Sequence, residues 1–204
     1  MGNILFNSKI LTDKECDFIS NFVLENEEYV KKLGPDEYSG TSEDSLTGRW
    51  TLFNWLRTPV GDILIPKIKK ILNDLDFNGY YISLWANTFR NNEGISMHSH
   101  NTGGPNKLLD KECICKFICG NIFISGPSKV GTWYYKDNKW IKQLSLPGRL
   151  TLFDDDVLHK VDKNNTNDIR ISLAMDIHKK ELLDNCKYHE CTNNKEIRFY
   201  KLGE

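Results

Sequence analysis

The chain has 204 residues, 39% of them hydrophobic, enough to bury one sizeable core, so one domain is the default. Its 27 basic and 28 acidic side chains are mixed along the sequence and leave a formal net charge of −1. No basic run or arginine-rich arm marks a nucleic-acid groove, and no apolar stretch approaches the roughly 18 residues of a membrane span. The N-terminus lacks the basic segment and apolar run of a secretory signal, so we expect a cytoplasmic protein with neither a membrane nor a nucleic-acid partner. Its six cysteines are then expected to stay reduced.

The first helix signal is Thr12-Asp13-Lys14-Glu15, a capping box with Thr12 at N-cap and Glu15 at N3. Phe18, Ile19, Phe22 and Val23 follow at helical spacing, and Gly34-Pro35 closes the region. Residues 36–48 are rich in Ser, Thr, Gly and acids and read as a loop. The stretch from Arg49 to Leu56 carries Trp50, Phe53 and Trp55, and predicts a short strand or helix against the core. A second helix is expected from Thr58-Pro59, with proline at N1 and a buried stripe of Ile63, Ile68, Ile71, Leu72 and Leu75. Pro66 inside that stripe predicts a break or a later start. Asn78-Gly79 gives a turn.

From Tyr80 onward the periodicity becomes that of strands, at 80–89, 116–125, 132–135, 139–144, 149–153, 157–161 and 170–176. Lys136-Asp137-Asn138-Lys139 reads as a hairpin tip, Pro147-Gly148 as a turn, and Gly103-Gly104-Pro105 as the start of an excursion. Two helices followed by many short strands predict an α+β fold, a double-stranded β-helix of the jelly-roll or cupin-like kind buttressed by the N-terminal helices. Residues 1–78 would form the helical and loop support, 79–178 the barrel core and 179–204 a charged tail, all in one domain.

The chemistry concentrates in a few residues. There are five histidines, and His98 and His100 stand at i and i+2, where an extended strand aims both imidazoles at one point. Imidazole is the commonest nitrogen ligand of borderline metals, and His159 offers a third from a distant strand. Arg170 and Ser172 share one face of the next strand, while Ile169, Ile171, Leu173 and Met175 share the other. A guanidinium beside a small hydroxyl makes a carboxylate clamp. Other residues have plainer readings. Cys113, Cys115 and Cys119, with Cys186 and Cys191 flanking His189, form a conceivable zinc set but contain no Cys-x2-Cys pair, and the first three fit a strand equally well. His178 and His189 read as structural or exposed, and Trp85 as core. The run Asp154–Asp156 reads as a solvated turn, with a second reading as donor of an acidic metal ligand. Asn164-Asn165-Thr166 matches a glycosylation acceptor, which has no meaning in a cytosolic loop.

His98-x-His100, the distal His159 and Arg170-x-Ser172 together resemble the Fe(II)/2-oxoglutarate-dependent oxygenases, over roughly Tyr80 to Ile177. The similarity is greatest to the prolyl-4-hydroxylase-like branch, within which a group of mostly phage-encoded and bacterial proteins carries Trp-x-Asn before His-x-His; here these residues are Trp85-Ala86-Asn87. The resemblance implies that His98, His100 and His159 hold Fe(II). It also implies that Arg170 pairs with the distal carboxylate of 2-oxoglutarate, with Ser172 and Asn87 beside the cosubstrate. The implied reaction hydroxylates or otherwise oxidises a small molecule or a protein side chain, while 2-oxoglutarate is decarboxylated to succinate. His100 stands where most of the superfamily has a carboxylate, so the site carries one negative charge fewer than the usual two-His, one-carboxylate triad. Two alternatives use the same residues differently: a cupin-like three-His dioxygenase without 2-oxoglutarate, and a non-catalytic β-barrel binding module.

Overall fold

The computed structural model describes residues 3–34, 46–75, 79–100, 117–186 and 194–202. Helix α1 (Asp13–Lys31) starts where the capping box sets it: the Thr12 hydroxyl accepts from the Glu15 backbone N–H, and the Glu15 carboxylate accepts from that of Thr12 at 2.8 Å. Its buried face is Cys16, Ile19, Val23, Glu27 and Val30, which leaves Phe18 off the stripe and 43% exposed. Helix α2 (Pro59–Asp74) is capped by Thr58, with proline at its first position as expected, and buries Val60, Leu64, Ile68 and Leu72 at four-residue spacing. Ile63, Ile71 and Leu75 lie on the flank of that stripe and are only partly buried.

Pro66 does not break α2, contrary to the sequence expectation. Its ring faces solvent, so the backbone hydrogen bond it removes is lost on the wet side of the helix. The stretch from Arg49 to Leu56 forms neither a strand nor one continuous helix. Single 3-10 turns stand at its two ends, Leu46–Arg49 and Trp55–Arg57, the second capped by the Asn54 side chain.

Among the described residues the strands follow the chain as β1 (Ile4–Lys9), β2 (Tyr80–Phe89), β3 (Ile95–His98), β4 (Phe117–Ser125), β5 (Thr132–Lys136), β6 (Lys139–Gln143), β7 (Arg149–Asp154), β8 (His159–Val161), β9 (Arg170–Lys179) and β10 (Tyr200–Leu202). They form a six-stranded sheet in the order β1-β7-β4-β9-β2-β10 and a four-stranded sheet in the order β3-β8-β5-β6, and the pairs are antiparallel. The expected α+β fold with helices buttressing one sheet is the fold observed. The segments β1 and β10 lay outside the expected strands; each is an edge strand that exists through its pairing with a distant partner, β7 and β2 respectively. Among the described residues of the tail lie the short helices α3 (Lys180–Asp184) and α4 (Lys195–Arg198). Among the described residues no helix is long and apolar enough to cross a membrane.

Local turn chemistry closes the strands. Asp137 and Asn138 have φ of 49° and 59°, the two positive values that a two-residue hairpin needs to match strand twist. Gly148 has φ +80°, and a Cβ there would lie 2.4 Å from the Leu11 carbonyl oxygen, so the turn into β7 admits glycine alone.

The larger sheet has two buried faces. Ile82 and Leu84 of β2, Ile118 and Ile122 of β4, Leu150 and Leu152 of β7, and Ile171, Leu173, Met175 and Ile177 of β9 pack with α1 and α2 in one apolar core. The alternate residues turn between the two sheets, where Cys119 and Phe153 meet Tyr134 and Val157, and Phe89 meets Val130 and Val161.

Helix α1 is tied to the end of β2 by the buried Glu27. Its carboxylate accepts from Thr88 Oγ1 at 3.0 Å and from both terminal nitrogens of Arg90 at 2.9 and 2.7 Å. Burial pushes the Glu27 carboxyl up, but the bonds from Arg90 and Thr88 outweigh it and hold the group below the usual carboxylate range. A depressed folded value stabilises the protein above the ordinary range and ceases to do so as pH falls through the folded value. Glu27→Gln should therefore cost about 1–3 kcal/mol in urea unfolding at pH 7, the low end of the range for a broken pair because Arg90 is partly exposed. The gap to wild type should close as the pH is lowered below the ordinary carboxylate range.

Candidate metal centre

Sheet register brings the histidines together. His98 ends β3, His159 begins β8, and the two are directly paired; Tyr134 of β5 is paired with His159 on its other side. His100 does not share a strand face with His98 as expected. It lies two residues beyond β3, where its backbone N–H donates to the Asp155 carbonyl at 3.1 Å. The rings converge all the same: centroids lie 4.2 Å apart for His98 and His159, 5.1 Å for His100 and His159, and 5.5 Å for His98 and His100. Each offers a ring nitrogen within 4.8 Å of the other two.

Each Nδ1 is already engaged. His98 Nδ1 lies 2.9 Å from the Ser96 carbonyl oxygen and His159 Nδ1 lies 2.9 Å from that of Val157. A carbonyl only accepts, so both Nδ1 atoms carry the proton and both Nε2 lone pairs are left for another partner. His100 Nδ1 faces Asp176 Oδ1 at 2.6 Å. Burial, then the neighbouring His100, pushes His98 below the ordinary imidazole value; burial, then His100 and His98, pushes His159 well below it. Three imidazoles whose ring nitrogens lie within 4.8 Å of one another are the donor set a borderline divalent metal takes, so these residues fit such an ion.

Strand β9 supplies the other end of the interior. Arg170 is 0% exposed. Its Nη1 donates to Ser172 Oγ at 3.0 Å, its Nε to the Val130 carbonyl at 3.3 Å and an Nη2 to Thr132 Oγ1 at 3.4 Å, and the Phe89 and Phe123 rings lie 5.6 and 5.3 Å from its carbon centre. Among the described residues no carboxylate is within ion-pair reach of it, and burial pulls its value down to about 10. Nearby, burial pushes the Tyr134 hydroxyl up to about 12; it lies close to Asn121 and Thr151 without a hydrogen bond of ordinary geometry to either. A buried cation lined by hydroxyls and lacking an anion is a receptor for one.

The remaining expectations sort by position. Asn87 is buried opposite Ser172 in the β2–β9 register, and its Oδ1 accepts from Thr47 Oγ1. Trp85 is buried as expected, with its ring 5.8 Å from that of His100. The Asp154–Asp156 run is no simple solvated turn: Asp155 is buried and pushed up to about 6 by that burial, while Asp154 accepts from the Asn3 backbone. Neither joins the histidines. His178 is structural, buried between the Phe117 and Phe199 rings. Asn164 is fully buried, its amide donating to the Phe89 and Asp168 carbonyls, so the sequon is a loop brace. Of the conceivable zinc set, Cys113, Cys115, Cys191 and His189 lie outside the described residues, while Cys119 faces the barrel interior.

The sequence reading missed three interior groups: Asp176, Tyr134 and Thr132. Asp176 was within reach, because it continues the alternation of Arg170 and Ser172. Tyr134 and Thr132 belong to the smaller sheet, whose inward face is decided only when the two sheets close.

Neither a family model nor a curated protein sequence matches the chain. Solved structures do match it over most of its length. A prolyl-4-hydroxylase of Pseudomonas putida aligns with a TM-score of 0.58 at 10% identity, covering 86% of this chain and 92% of that one. A prolyl hydroxylase of Trichoplax adhaerens, in complex with a peptide fragment of hypoxia inducible factor, aligns with a TM-score of 0.61 at 12% identity, covering 89% and 84%. The fold is that of the 2-oxoglutarate-dependent oxygenases. HygX of Streptomyces hygroscopicus, solved with nickel and 2-oxoglutarate bound, shares this oxygenase fold with a TM-score of 0.57 at 10% identity, covering 86% of this chain and 81% of that one.

The unpaired guanidinium has a measurable consequence. Replacing a buried ion pair by apolar side chains of similar volume is often neutral or stabilising by about 1–4 kcal/mol, and a buried cation without an ionic partner has no Coulombic attraction to lose. Arg170→Met is therefore expected to unfold at the same or higher denaturant concentration than wild type. A loss of more than about 3 kcal/mol, the cost of breaking a paired buried charge, would show that Arg170 is there to hold the barrel together.

Proposed function

We propose that this chain is an Fe(II)- and 2-oxoglutarate-dependent dioxygenase of the cytoplasm, with the metal held by the Nε2 atoms of His98, His100 and His159. The observation that carries the proposal is the Arg170 guanidinium, fully buried beside Ser172 and Thr132 with no carboxylate among the described residues to meet it. A dicarboxylate anchored at the histidines and reaching Arg170 with its far carboxylate answers both halves of the interior. A cupin-like three-His site without 2-oxoglutarate leaves that guanidinium unexplained, and so does a non-catalytic barrel.

When bound, Fe(II) with 2-oxoglutarate and O2 supplies oxidation of a substrate C–H bond, with succinate and CO2 as the cosubstrate's products. The chain's own contributions are positional. The backbone carbonyls of Ser96 and Val157 orient two of the imidazoles. Arg170 would hold the distal carboxylate, Ser172 would add a hydroxyl, and Tyr134, held protonated by burial, could donate a further hydrogen bond. Asn87, opposite Ser172, lines the same cosubstrate end. The apolar walls of Phe89, Phe123 and Phe153 exclude water, which strengthens each of these contacts. The substrate is a small molecule or a protein side chain, and the peptide held by the Trichoplax prolyl hydroxylase makes the second a class to test early.

Calorimetry of the full chain under anaerobic conditions tests this assignment. Wild type is expected to bind Fe(II), and the metal-loaded protein to bind 2-oxoglutarate. His98→Ala and His159→Ala should lose metal binding. Arg170→Ala should keep the metal and lose 2-oxoglutarate, with Arg170→Lys weakening it by roughly 1–3 kcal/mol, the range for hydrogen bonds to charged groups. An unchanged dissociation constant for 2-oxoglutarate in Arg170→Ala would falsify the clamp and favour the cupin-like alternative.

A further inference from the structure

We infer that Asp176 is a positioning residue for His100, a carboxylate moved one imidazole outward from the metal's ligands. The inference rests on the proposed metal centre and explains how a three-histidine set works where the usual triad holds a carboxylate. Asp176 is 4% exposed and sits on the same face of β9 as Arg170 and Ser172. Its Oδ1 lies 2.6 Å from His100 Nδ1. It does not fall within the 4.8 Å cluster formed by the three histidines; it groups instead with His100 and Cys119. The carboxylate therefore reaches the metal centre through the His100 ring.

The surroundings fit that role and exclude simpler ones. In the six-stranded sheet Asp176 is paired with Ser83 of β2 on one side and Cys119 of β4 on the other. Burial, then the Asp176 charge, pushes the fully buried Cys119 thiol up, so the protonated thiol can donate to the carboxylate. A solvated carboxylate at a strand end would need no such setting. An acceptor on Nδ1 fixes the ring's tautomer and rotation, directs Nε2 toward His98 and His159, and makes Nε2 a stronger donor. His98 and His159 receive the same service from neutral backbone carbonyls. Only His100, which lies beyond the end of β3 and lacks a strand to hold it, receives it from a full negative charge. That charge offsets part of the metal's own in an interior with little solvent to do so.

Co(II) titrated into the full chain is the probe, read by calorimetry and by its visible absorption. Asp176→Asn should weaken Co(II) binding by about 10- to 100-fold, the effect of removing such an outer partner, and change the absorption band. In the His100→Ala background the same substitution should change affinity less than twofold, because the ring through which Asp176 acts is gone. In metal-free wild type at pH 8, long-range 1H–15N spectra should show His100 protonated at Nδ1. The inference is overturned if Asp176→Asn binds Co(II) within twofold of wild type, if its effect persists undiminished without His100, or if the His100 ring is protonated at Nε2 alone. The last reading needs no variant and decides the matter even where Asp176→Asn fails to fold. Loss of Co(II) binding in His159→Ala with none in Asp176→Asn overturns only the role of Asp176, whereas wild type that binds no Co(II) overturns the metal centre with it.

Discussion

On β9 the parity of the residue number decides its surroundings. Ile171, Leu173, Met175 and Ile177 enter the apolar core under α1 and α2, while Arg170, Ser172, Asp176 and His178 enter the space between the sheets. Side chains alternate with a period of two, so a slip of one residue would drive a guanidinium and a carboxylate into the helix-packed core. That cost pins the register of β9, and pairing carries it to both neighbours. β2 brings Asn87 opposite Ser172, and β4 brings Cys119 opposite Asp176. The geometry of the whole interior follows from one strand's refusal to shift.

The same strand leaves the interior electrostatically incomplete at one end and complete at the other. Asp176 has His100 at 2.6 Å, while among the described residues Arg170 has hydroxyls, a carbonyl and two aromatic rings. Structural ion pairs in this protein look different: Glu27 takes both forks of Arg90 and a hydroxyl besides. Among the described residues a helix-anchoring carboxylate is fully satisfied while a buried cation is short of an anion, a contrast that bears on the proposed clamp.

Much of this was legible in the sequence where the signal is local. The capping box at Thr12, the hairpin at Asp137-Asn138 and the turn at Gly148 each depend on a few adjacent residues, and each formed where expected. Clean alternation from Ile169 to Met175 is enough by itself to set the facing of Arg170. What escaped depends on distant partners or on which side of an element meets water. Strands β1 and β10 are held by pairing rather than by their own pattern. Pro66 is tolerated because it faces solvent. Asp176 was passed over because a carboxylate in an apolar strand reads as the strand's end; β9 in fact runs on to Lys179. His100 converges on its partners from beyond a strand, by a route that the i, i+2 rule does not describe.

The central claim is that three imidazoles, with no directly bound carboxylate, surround one metal. X-ray absorption of the Fe(II)-loaded full chain tests it most directly, because rigid imidazole rings scatter from their outer atoms in a way that carboxylates do not. The account predicts an outer-shell signal fitted by three imidazoles, which falls to two in His98→Ala if that variant is forced to load at high metal concentration. A wild-type spectrum fitted by two imidazoles and a carboxylate at bonding distance would contradict it.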